Sequence, residues 1–296
     1  MSALPDSLAI GSVLWDILGR APAHLAPGSD MPGRITRQPG GVALNVAAAL
    51  VRCGMRPALL SAVGRDGEGE ALVAACAAQG IVTEHLYRSD DLPTDRYMAI
   101  EGAGGLIAAI ADAHSLEAAG ERILAPLGDG RLGAPSAPWR GVIALDGNLT
   151  PAVLARIAGS PLFAAADLRV APASPGKAER LLPLLPMPNA VFYLNREEAG
   201  LLCRRRFDDA AGAAAAVCAR GAARVLVTDG AGPAADAAPE GLLTASPPPV
   251  PVARVTGAGD CFMAAHIAAE RRGADRPAAL AAALAAAAQH VSGGIG

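Results

Sequence analysis

The residues best suited to chemistry lie in the segment RVTGAGDCFMAAH, at positions 254–266. An extended approach ends in Thr256, Gly257, Ala258, Gly259 and Asp260 and leads directly into a predicted helix. Backbone N–H groups at a helix N-terminus have no intrahelical partner, so they can bind an anion. A carboxylate beside them can accept a proton from an attacking hydroxyl. The pattern indicates phosphoryl transfer, and the alternative is a helix start whose aspartate only complements the dipole.

A second candidate is PGGVALNVAAALVRCG, at positions 39–54. Gly40 and Gly41 precede a predicted helix, and Asn45 lies one turn into it, on the face where a ligand over the helix start would lie. A double glycine permits the close approach of a small molecule. A tight turn followed by a helix, without a ligand, is the alternative.

A third candidate follows the apolar run 190–194, where Asn195 and Glu198 stand at positions i and i+3. Residues at this spacing are neighbours on one helical turn. They come at the carboxyl end of a predicted parallel strand, the edge at which open α/β sheets bind ligands.

Lys177 is the only lysine among the 25 basic residues of the chain. Where arginine fills every other basic position, a retained lysine suggests a site that needs a compact ammonium rather than a guanidinium fork. We expect its ammonium to point into the cleft at the carboxyl edge of the sheet; a surface lysine left by chance is the alternative.

Together these motifs resemble the ribokinase-like, PfkB-type family of carbohydrate and nucleoside kinases, over nearly the whole chain. GGVALN with LSAVGRDGEGE is similar to the first signature of that family, VTGAGDCFMAA to its second, and NREE to its asparagine-x-x-glutamate motif. The resemblance implies a Rossmann-like α/β domain with a β-sheet lid that transfers the γ-phosphoryl group of ATP to a primary hydroxyl of a sugar or nucleoside.

The resemblance also implies a role for each matching residue. Asp260 would be the catalytic base, and the amides from Gly257 through Ala258 and Gly259 to Asp260 the anion hole. Asn195 and Glu198 would order Mg²⁺, and a monovalent cation such as K⁺ is a further expected cofactor. The remaining implied site residues are Asp16, placed near the end of the first strand, Gly40, Gly41, Asn45 and Lys177 for the acceptor, and Asn195, Thr228, Gly230 and Thr256 for the nucleotide.

Within the family, three segments resemble the branch that phosphorylates pseudouridine: DGNLTP (146–151), APASPGKAERL (171–181) and TDRYMAIEGAGG (94–105). Two positions depart from the family pattern. Pro233 stands where the nucleotide segment usually has a second glycine, and Arg254-Val255 precedes the anion-hole threonine in place of acidic or threonine residues. Ribose, 2-keto-3-deoxygluconate, cytidine and uridine stay open as acceptors.

Short apolar runs alternate with helical segments along the chain, which predicts an α/β fold with a parallel sheet covered by helices. The runs include 141–146, PLFAAADL (161–168), 190–195 and 223–230, with helices from about 150 and 174 and over 208–220, 257–272 and 277–290. We expect residues 1–296 to form one kinase domain. Residues 30–39 and 94–111 predict short antiparallel strands, the latter turned at Gly102–Gly105, in a small sheet that acts as a lid or pairs two subunits.

Composition narrows the function classes. The net charge of −3 leaves no broad basic face for nucleic acid, and no apolar stretch is long enough to span a bilayer. The amino terminus has no secretory pattern, and five scattered cysteines indicate the reducing cytoplasm. A small-molecule substrate and a homodimer formed through the lid are the expected partners.

Other enzyme classes lack their motifs. The chain contains no G-x-x-x-x-G-K-[ST] loop, and Ser174-Pro175-Gly176-Lys177 lacks the S-D-N and K-T-G elements of acyl-transferring hydrolases. The five histidines are dispersed, which argues against a metal hydrolase. The rival from another class is a sensor of this fold that binds a sugar or nucleoside without catalysis, and the carboxylate of Asp260 argues against it.

Overall fold

A large sheet forms the centre of the molecule in a computed structural model, which describes residues 4–24, 28 and 30–293. The ends of the predicted 1–296 domain therefore lie outside the described residues. In sheet order, the eight strands are β14 (Gly241–Ala245), β13 (Gly232–Ala238), β12 (Arg224–Asp229), β11 (Ala190–Asn195), β10 (Asp167–Ala171), β9 (Val142–Asp146), β1 (Ser7–Ile10) and β4 (Pro57–Leu60). The strands from β12 to β4 pair in parallel, whereas β13 and β14 are antiparallel additions. The predicted parallel sheet is therefore confirmed as the core of a mixed sheet.

Helices cover both faces of this sheet. The α-helices are α1 (Val42–Arg52), α2 (Gly67–Ala78), α3 (His114–Ala119), α4 (Pro151–Ala158), α5 (Arg196–Cys203), α6 (Ala210–Ala219), α7 (Ala258–Arg271) and α8 (Arg276–Val291). Three further helices are of the 3₁₀ type, at Gly120–Leu127, Pro161–Phe163 and Pro175–Leu184. One buried cluster joins α1, α7 and α8 to the sheet, and a larger one lies under α4, α5 and α6.

A small sheet stands apart from the large one. Its strands lie in the order β3 (Arg34–Gly40), β2 (Leu14–Arg20), β7 (Arg96–Gly102) and β8 (Gly105–Asp112). A two-stranded pair, β5 (Ala62–Gly64) with β6 (Tyr87–Ser89), completes the described strands. The predicted strands in 30–39 and 94–111 are therefore confirmed with shifted bounds, and β2 is a member of the small sheet that the sequence did not reveal.

Three predicted elements differ from those observed. Asp16 lies in the middle of β2 rather than at the end of the first strand. The reason is that β1 ends just before Gly11, whose φ of +147° separates the two strands. The strand predicted over 161–168 is displaced to Asp167–Ala171, since Pro161 opens a 3₁₀ turn instead. The helix predicted from about 174 is of the 3₁₀ type and contains Pro183, which cannot donate the backbone bond of an α-helix.

Buried ion pairs fix α7 on the large sheet. Glu270, in the last turn of α7, accepts hydrogen bonds from Arg169 of β10 and Arg224 of β12, each at 2.5 Å. Arg224 also pairs with the fully buried Asp236 of β13 at 2.7 Å. Removing one partner of such a pair leaves an uncompensated buried charge. The helix whose first turn carries Asp260 is thus anchored by its far end.

No described helix is both long and apolar enough to cross a membrane.

Candidate active site

The N-terminus of α7 has the geometry that the sequence predicts for an anion-binding turn. Gly257 caps the helix with φ +86°, in the left-handed region that glycine tolerates best. The amide of Ala258 donates to the carbonyl oxygen of Val255 at 3.1 Å, so it is engaged within the turn. The amides of Gly259 and Asp260 come before the hydrogen-bond ladder of the helix begins and are therefore the donors suited to an anion.

Asp260 occupies the first turn of α7, and its carboxyl is largely surrounded by protein although part of the residue stays accessible. Burial raises its pKa to about 7, because the charged form loses hydration. A hydrogen bond from the Asn45 side chain opposes that shift, whereas the nearby carboxylates of Asp146 and Glu198 add to it. A carboxyl with a pKa near neutrality is suited to exchange a proton with a substrate hydroxyl.

His290 of α8 lies directly behind the anion-binding turn. Its Nε2 is 2.8 Å from the carbonyl oxygen of Thr256, and a Cβ at Gly257 would lie 3.1 Å from the same nitrogen. The contact with a carbonyl requires a proton on Nε2, which leaves Nδ1 to accept from Arg254 at 3.3 Å. No sequence pattern predicts this contact, because His290 is more than thirty residues from the turn.

The predicted acceptor residues Asp16 and Gly40 are in contact. Asp16 pairs with Gln38 and Tyr97 across the small sheet, so all three side chains lie on one face. A Cβ at Gly40 would lie 2.1 Å from Asp16 Oδ2, which shows that the carboxyl rests against the glycine backbone. Burial raises the pKa of Asp16 to about 6.

Gly41 and Asn45 connect this face to Asp260. Gly41 is the N-cap of α1 with φ +100°, and a Cβ there would lie 2.4 Å from the carbonyl oxygen of Ser12. Asn45 lies one turn into α1 and bonds to Asp260 through its side chain. The structure therefore joins two of the sequence motifs, GGVALN and VTGAGD, at a single contact.

Asn195 and Glu198 order one another at the start of α5. The Asn195 side chain accepts from the Glu198 amide, and the Glu198 carboxylate accepts from the Asn195 amide, both at 2.8 Å. This reciprocal pair is a capping box. Glu198 is 8% exposed, and burial raises its pKa. The carboxylate is thus held at the carboxyl end of β11 and within electrostatic range of Asp260.

These residues fit Mg²⁺ only as part of a shared coordination sphere. Among the described residues, no group of three or more histidine, cysteine, aspartate or glutamate side chains is arranged to hold a metal. Mg²⁺ keeps several waters and commonly binds through one or two carboxylates together with substrate phosphates. Glu198 supplies one such carboxylate, so the arrangement fits an ion that arrives with a nucleotide.

Thr228 and Gly230 line the same cleft as Asn195, with a volume of about 840 Å³. Arg196 crosses its rim, where it pairs with Asp229 at 2.7 Å. Pro233 lies at the start of β13, just beyond the turn that follows Gly230. Three of the four residues predicted for the nucleotide thus share one opening, beside the N-terminus of α5. The fourth, Thr256, is exposed and does not line this cleft.

Lys177 lies in the 3₁₀ helix at Pro175–Leu184 and is half-buried. Its ammonium donates a hydrogen bond to Asn148 Oδ1, just beyond the carboxyl end of β9. Burial and the neighbouring Arg180 lower its pKa, whereas Asp146 and Glu117 raise it. Lys177 is therefore a partly desolvated cation near the edge that carries the other candidate residues.

Comparisons with known proteins identify the family of the chain. The chain belongs to the pfkB family of carbohydrate kinases, which it matches over residues 5–294. It is 31% identical over 121 residues to a pseudouridine kinase from Escherichia coli, a match that spans 40% of this chain and 39% of that relative. A carbohydrate kinase from Agrobacterium tumefaciens is 25% identical with a TM-score of 0.80, over 96% of this chain and 90% of the other.

A ribokinase from Arabidopsis thaliana, solved with ribose and ATP, has the same fold. Its TM-score is 0.78 at 20% identity, over 98% of this chain and 93% of that structure. The ribokinase-like α/β fold with a small separate sheet is therefore confirmed.

Proposed function

We propose that this chain is an ATP-dependent kinase that phosphorylates the primary, 5′-type hydroxyl of a nucleoside, with pseudouridine as the first-choice acceptor. The observation that carries the proposal is the pairing of Asp260, whose pKa is raised to about 7, with unpaired amides in the same helical turn. The partial match to a pseudouridine kinase supports the choice of acceptor.

The reaction that we propose is an in-line phosphoryl transfer. The Asp260 carboxylate accepts the proton of the acceptor hydroxyl while the hydroxyl oxygen forms a bond to the γ-phosphorus of ATP. The bond from that phosphorus to the β–γ bridging oxygen breaks, and ADP leaves. The amides of Gly259 and Asp260, with the positive end of α7, stabilise the negative charge on the transferring group.

We assign the nucleotide to the cleft lined by Asn195, Thr228 and Gly230. Thr256, which directly precedes the anion-binding turn, would contact its phosphates. Mg²⁺ would neutralise phosphate charge, with Glu198 and Asn195 as its protein-side partners. A monovalent cation such as K⁺ is a further proposed activator. Omission of each ion, with choline chloride holding the ionic strength constant, tests both requirements.

The acceptor site that we propose lies between the small sheet and α1. Asp16 would bind an acceptor hydroxyl, Gly40 and Gly41 would allow its close approach, and Asn45 would orient it beside Asp260. Lys177 would contact the acceptor or the transferring phosphate from the opposite edge. In this assignment the small sheet is a lid over the acceptor, which limits hydrolysis of ATP by water.

We also propose that two copies of the chain associate through the small sheet. The face opposite Asp16 carries large apolar side chains that are open to solvent, with Ile35 79% and Ile110 68% exposed, together with the charged Arg37 and Arg96. Met98 pairs with both Ile17 and Ile110 across this face. All of β8, an edge strand, is exposed as well. A second copy would cover these apolar side chains and the exposed edge strand.

Sedimentation equilibrium tests the dimer. We expect a dimer for the wild type and a monomer for Ile110→Asp, while Val252→Asp, at a position 71% exposed outside the small sheet, stays dimeric. A monomeric wild type at micromolar concentration would contradict the assignment.

The free cysteines fit a reducing compartment, and we propose the cytoplasm.

A phosphorylation panel tests the activity. The purified chain is incubated with ATP, Mg²⁺ and each of pseudouridine, uridine, cytidine, adenosine, ribose and 2-keto-3-deoxygluconate, and the products are resolved by mass spectrometry. We expect the highest kcat/KM with pseudouridine. A higher value for another acceptor would overturn the choice of substrate, and binding of an acceptor without turnover would favour the sensor.

A further inference from the structure

Four chain segments connect the small sheet to the rest of the molecule. Residues 11–13 lead from β1 into β2, and Gly41 leads from β3 into α1. Residues 90–95 lead into β7, and residue 113 leads from β8 into α3. The first two of these connections meet at one buried side chain, Asp146, at the carboxyl end of β9.

The carboxylate of Asp146 is 2% exposed and accepts four hydrogen bonds. Oδ2 accepts from the Ser12 amide at 2.8 Å, the Ser12 hydroxyl at 2.9 Å and the Ala43 amide at 3.0 Å. Oδ1 accepts from the Asn148 amide at 2.8 Å. A carboxylate that accepts several such bonds is held rigidly, and its removal leaves buried donors without a partner.

Each connection has a glycine at a position where a side chain would collide with the residues around Asp146. A Cβ at Gly11 would lie 2.2 Å from the Asp146 carboxyl carbon, and Gly11 has φ +147°. A Cβ at Gly41, where φ is +100°, would lie 2.4 Å from the Ser12 carbonyl oxygen. Both connections are therefore shaped around the cluster formed by Ser12, Ala43, Asp146 and Asn148, which we call the Asp146 cluster.

The Asp146 cluster reaches the acceptor side through Asn148. The side-chain nitrogen of Asn148, Nδ2, donates to Ser12 Oγ at 2.8 Å, and its side-chain oxygen, Oδ1, accepts from the ammonium of Lys177. Ser12 Oγ in turn accepts from the Val42 amide at 2.9 Å. Lys177 is thus linked to the connection into the small sheet by two side-chain contacts.

The cluster reaches the base through α1. Asp146 and Ser12 hold the first amides of this helix, and Asn45 lies one turn farther along and bonds to Asp260. The first turn of α1 is thereby tied to β9, and with it the position of the Asn45 side chain. A displacement of about 1 Å at a reacting group can reduce a rate about 100-fold.

The other two connections are also held by a buried aspartate that accepts hydrogen bonds from backbone amides. Asp95, 4% exposed, accepts from the Ser115 amide at 2.9 Å and the Leu116 amide at 3.0 Å, at the start of α3. Its own carbonyl oxygen accepts from the Trp15 amide at 3.1 Å. Only Asp146, however, is linked to both Lys177 and Asn45.

We propose that Asp146 is a positioning residue for phosphoryl transfer: it anchors two of the four connections to the small sheet and aligns Lys177 and Asn45, on opposite sides of the acceptor, with respect to one another. The inference rests on the proposed function for the roles of Lys177 and Asp260. Asp146 itself touches neither the acceptor nor the phosphate in this assignment. Its effect reaches the reaction through Ser12, Asn148 and α1.

Asp146→Asn is the direct test, because it keeps the shape of the side chain but turns one acceptor oxygen into a donor that faces other donors. We expect the acceptor KM to rise and kcat to fall, each about tenfold or more, with the KM for ATP within about twofold of wild type. Backbone amide exchange at residues 12 and 43 should accelerate. A KM for ATP that rises as much as the KM for the acceptor would overturn the proposal.

Asp236→Asn is the matched control. Asp236, on β13, is also a fully buried aspartate that accepts several hydrogen bonds, but its partners are Arg224 of β12 and Arg276 of α8. Through Arg224 it is linked to Glu270 in the last turn of α7, at the opposite end of that helix from Asp260. We expect a lower melting temperature for this variant with kinetic parameters within about threefold of wild type. The same selective rise in acceptor KM in Asp236→Asn would show that loss of stability explains the effect and would overturn the proposal.

Asn148→Ala is the second variant, and it is informative even if Asp146→Asn does not fold. It removes the contacts with Lys177 and Ser12 Oγ but leaves the Asp146 bonds to the Ser12 and Ala43 amides in place. We expect the acceptor KM to rise about tenfold with exchange at residue 43 unchanged. An unchanged acceptor KM would overturn the link to Lys177. Amide exchange at residues 12 and 43 is measured without substrate. It therefore tests the anchoring role of Asp146 even if the wild type phosphorylates none of the acceptors in the panel.

Discussion

The carboxyl of Asp16 rests on the backbone of Gly40, so closely that a Cβ on the glycine would lie 2.1 Å from Asp16 Oδ2. The two residues belong to neighbouring strands of the small sheet, β2 and β3. A methyl group at position 40 must therefore displace the carboxyl. This contact gives a test of the acceptor site that leaves the base and the nucleotide cleft intact.

We expect Gly40→Ala to raise the acceptor KM at least about tenfold, because Asp16 can no longer occupy its position. The KM for ATP should stay within about twofold of wild type, as measured by steady-state kinetics with each substrate varied. Gly104→Ala is the control, since it lies in the turn of the same sheet with nothing within 4 Å of its Cβ. An unchanged acceptor KM in Gly40→Ala would remove Asp16 from the acceptor site.

Replacement of Asp260 by asparagine tests the base. Asp260→Asn keeps the shape of the side chain but cannot accept the hydroxyl proton, and the contribution of a general base is typically about 10²–10⁴-fold. We expect kcat to fall within this range while acceptor binding, measured by calorimetry, is retained. Asp275→Asn, at the cap of α8, should be fully active because asparagine caps a helix equally well. A variant at position 260 that kept more than about a tenth of the wild-type kcat would contradict the role.

The raised pKa of Asp260 predicts a pH dependence of both activity and stability. Only the ionised form accepts a proton, so kcat/KM should fall as the pH drops through about 7. The pKa of the folded state lies above the ordinary value of 3.8, so the folded protein binds this proton more tightly than the unfolded chain does. The contribution of Asp260 to the free energy of unfolding is therefore lost as the pH rises from about 4 to about 7.

Asp260→Asn lacks this titration, and its melting temperature should exceed that of the wild type by more at pH 8 than at pH 5. Differential scanning calorimetry at the two pH values measures the difference. An equal difference at both values would show that the carboxyl has an ordinary pKa in the folded state.

The sequence predicted contacts within a motif better than contacts between motifs. Asn195 and Glu198 are three residues apart, and their reciprocal bonds follow from helix geometry alone. The pairing of Asn45 with Asp260 and the bonds of Asp146 to Ser12 and Ala43 join residues more than one hundred positions apart. Periodicity and spacing do not specify such contacts, so they predict no role for Asp146, whose segment DGNLTP is distinguished only by a family resemblance.

The small sheet illustrates the same limit at the level of the fold. Its glycine turn and its strands β3, β7 and β8 were predicted from local pattern. Strand β2 follows β1 after three residues, and both are apolar, so the two cannot be separated by hydrophobic pattern. The left-handed φ of Gly11 divides them, and the reason for that conformation is the Asp146 carboxyl that it accommodates.

Closure of the small sheet predicts a change in hydrogen exchange. We expect amides of residues 34–40 and 96–112 to exchange more slowly at saturating acceptor, because a closed lid loses contact with water. Helix α8, which packs against α7 and lies outside both segments, serves as the internal reference. Exchange in the two segments that does not change at saturation would remove the lid role and leave the small sheet as an interface alone.

Exchange of Lys177 for arginine separates a site lysine from a surface one, because the variant keeps the charge. The ammonium is half-buried and donates a hydrogen bond to Asn148 Oδ1, a single-point contact that a planar guanidinium does not reproduce. We expect Lys177→Arg to lower kcat/KM for the acceptor tenfold or more, since a positioned cation at the reacting group contributes about 2–4 kcal/mol. Arg156→Lys, the opposite exchange at the exposed ion pair with Glu121, is the control. It should leave kcat/KM unchanged, because surface pairs contribute about 0–1 kcal/mol. Near-normal kcat/KM in Lys177→Arg would assign this lysine to the surface and would leave Asn148 as a partner of Ser12 alone.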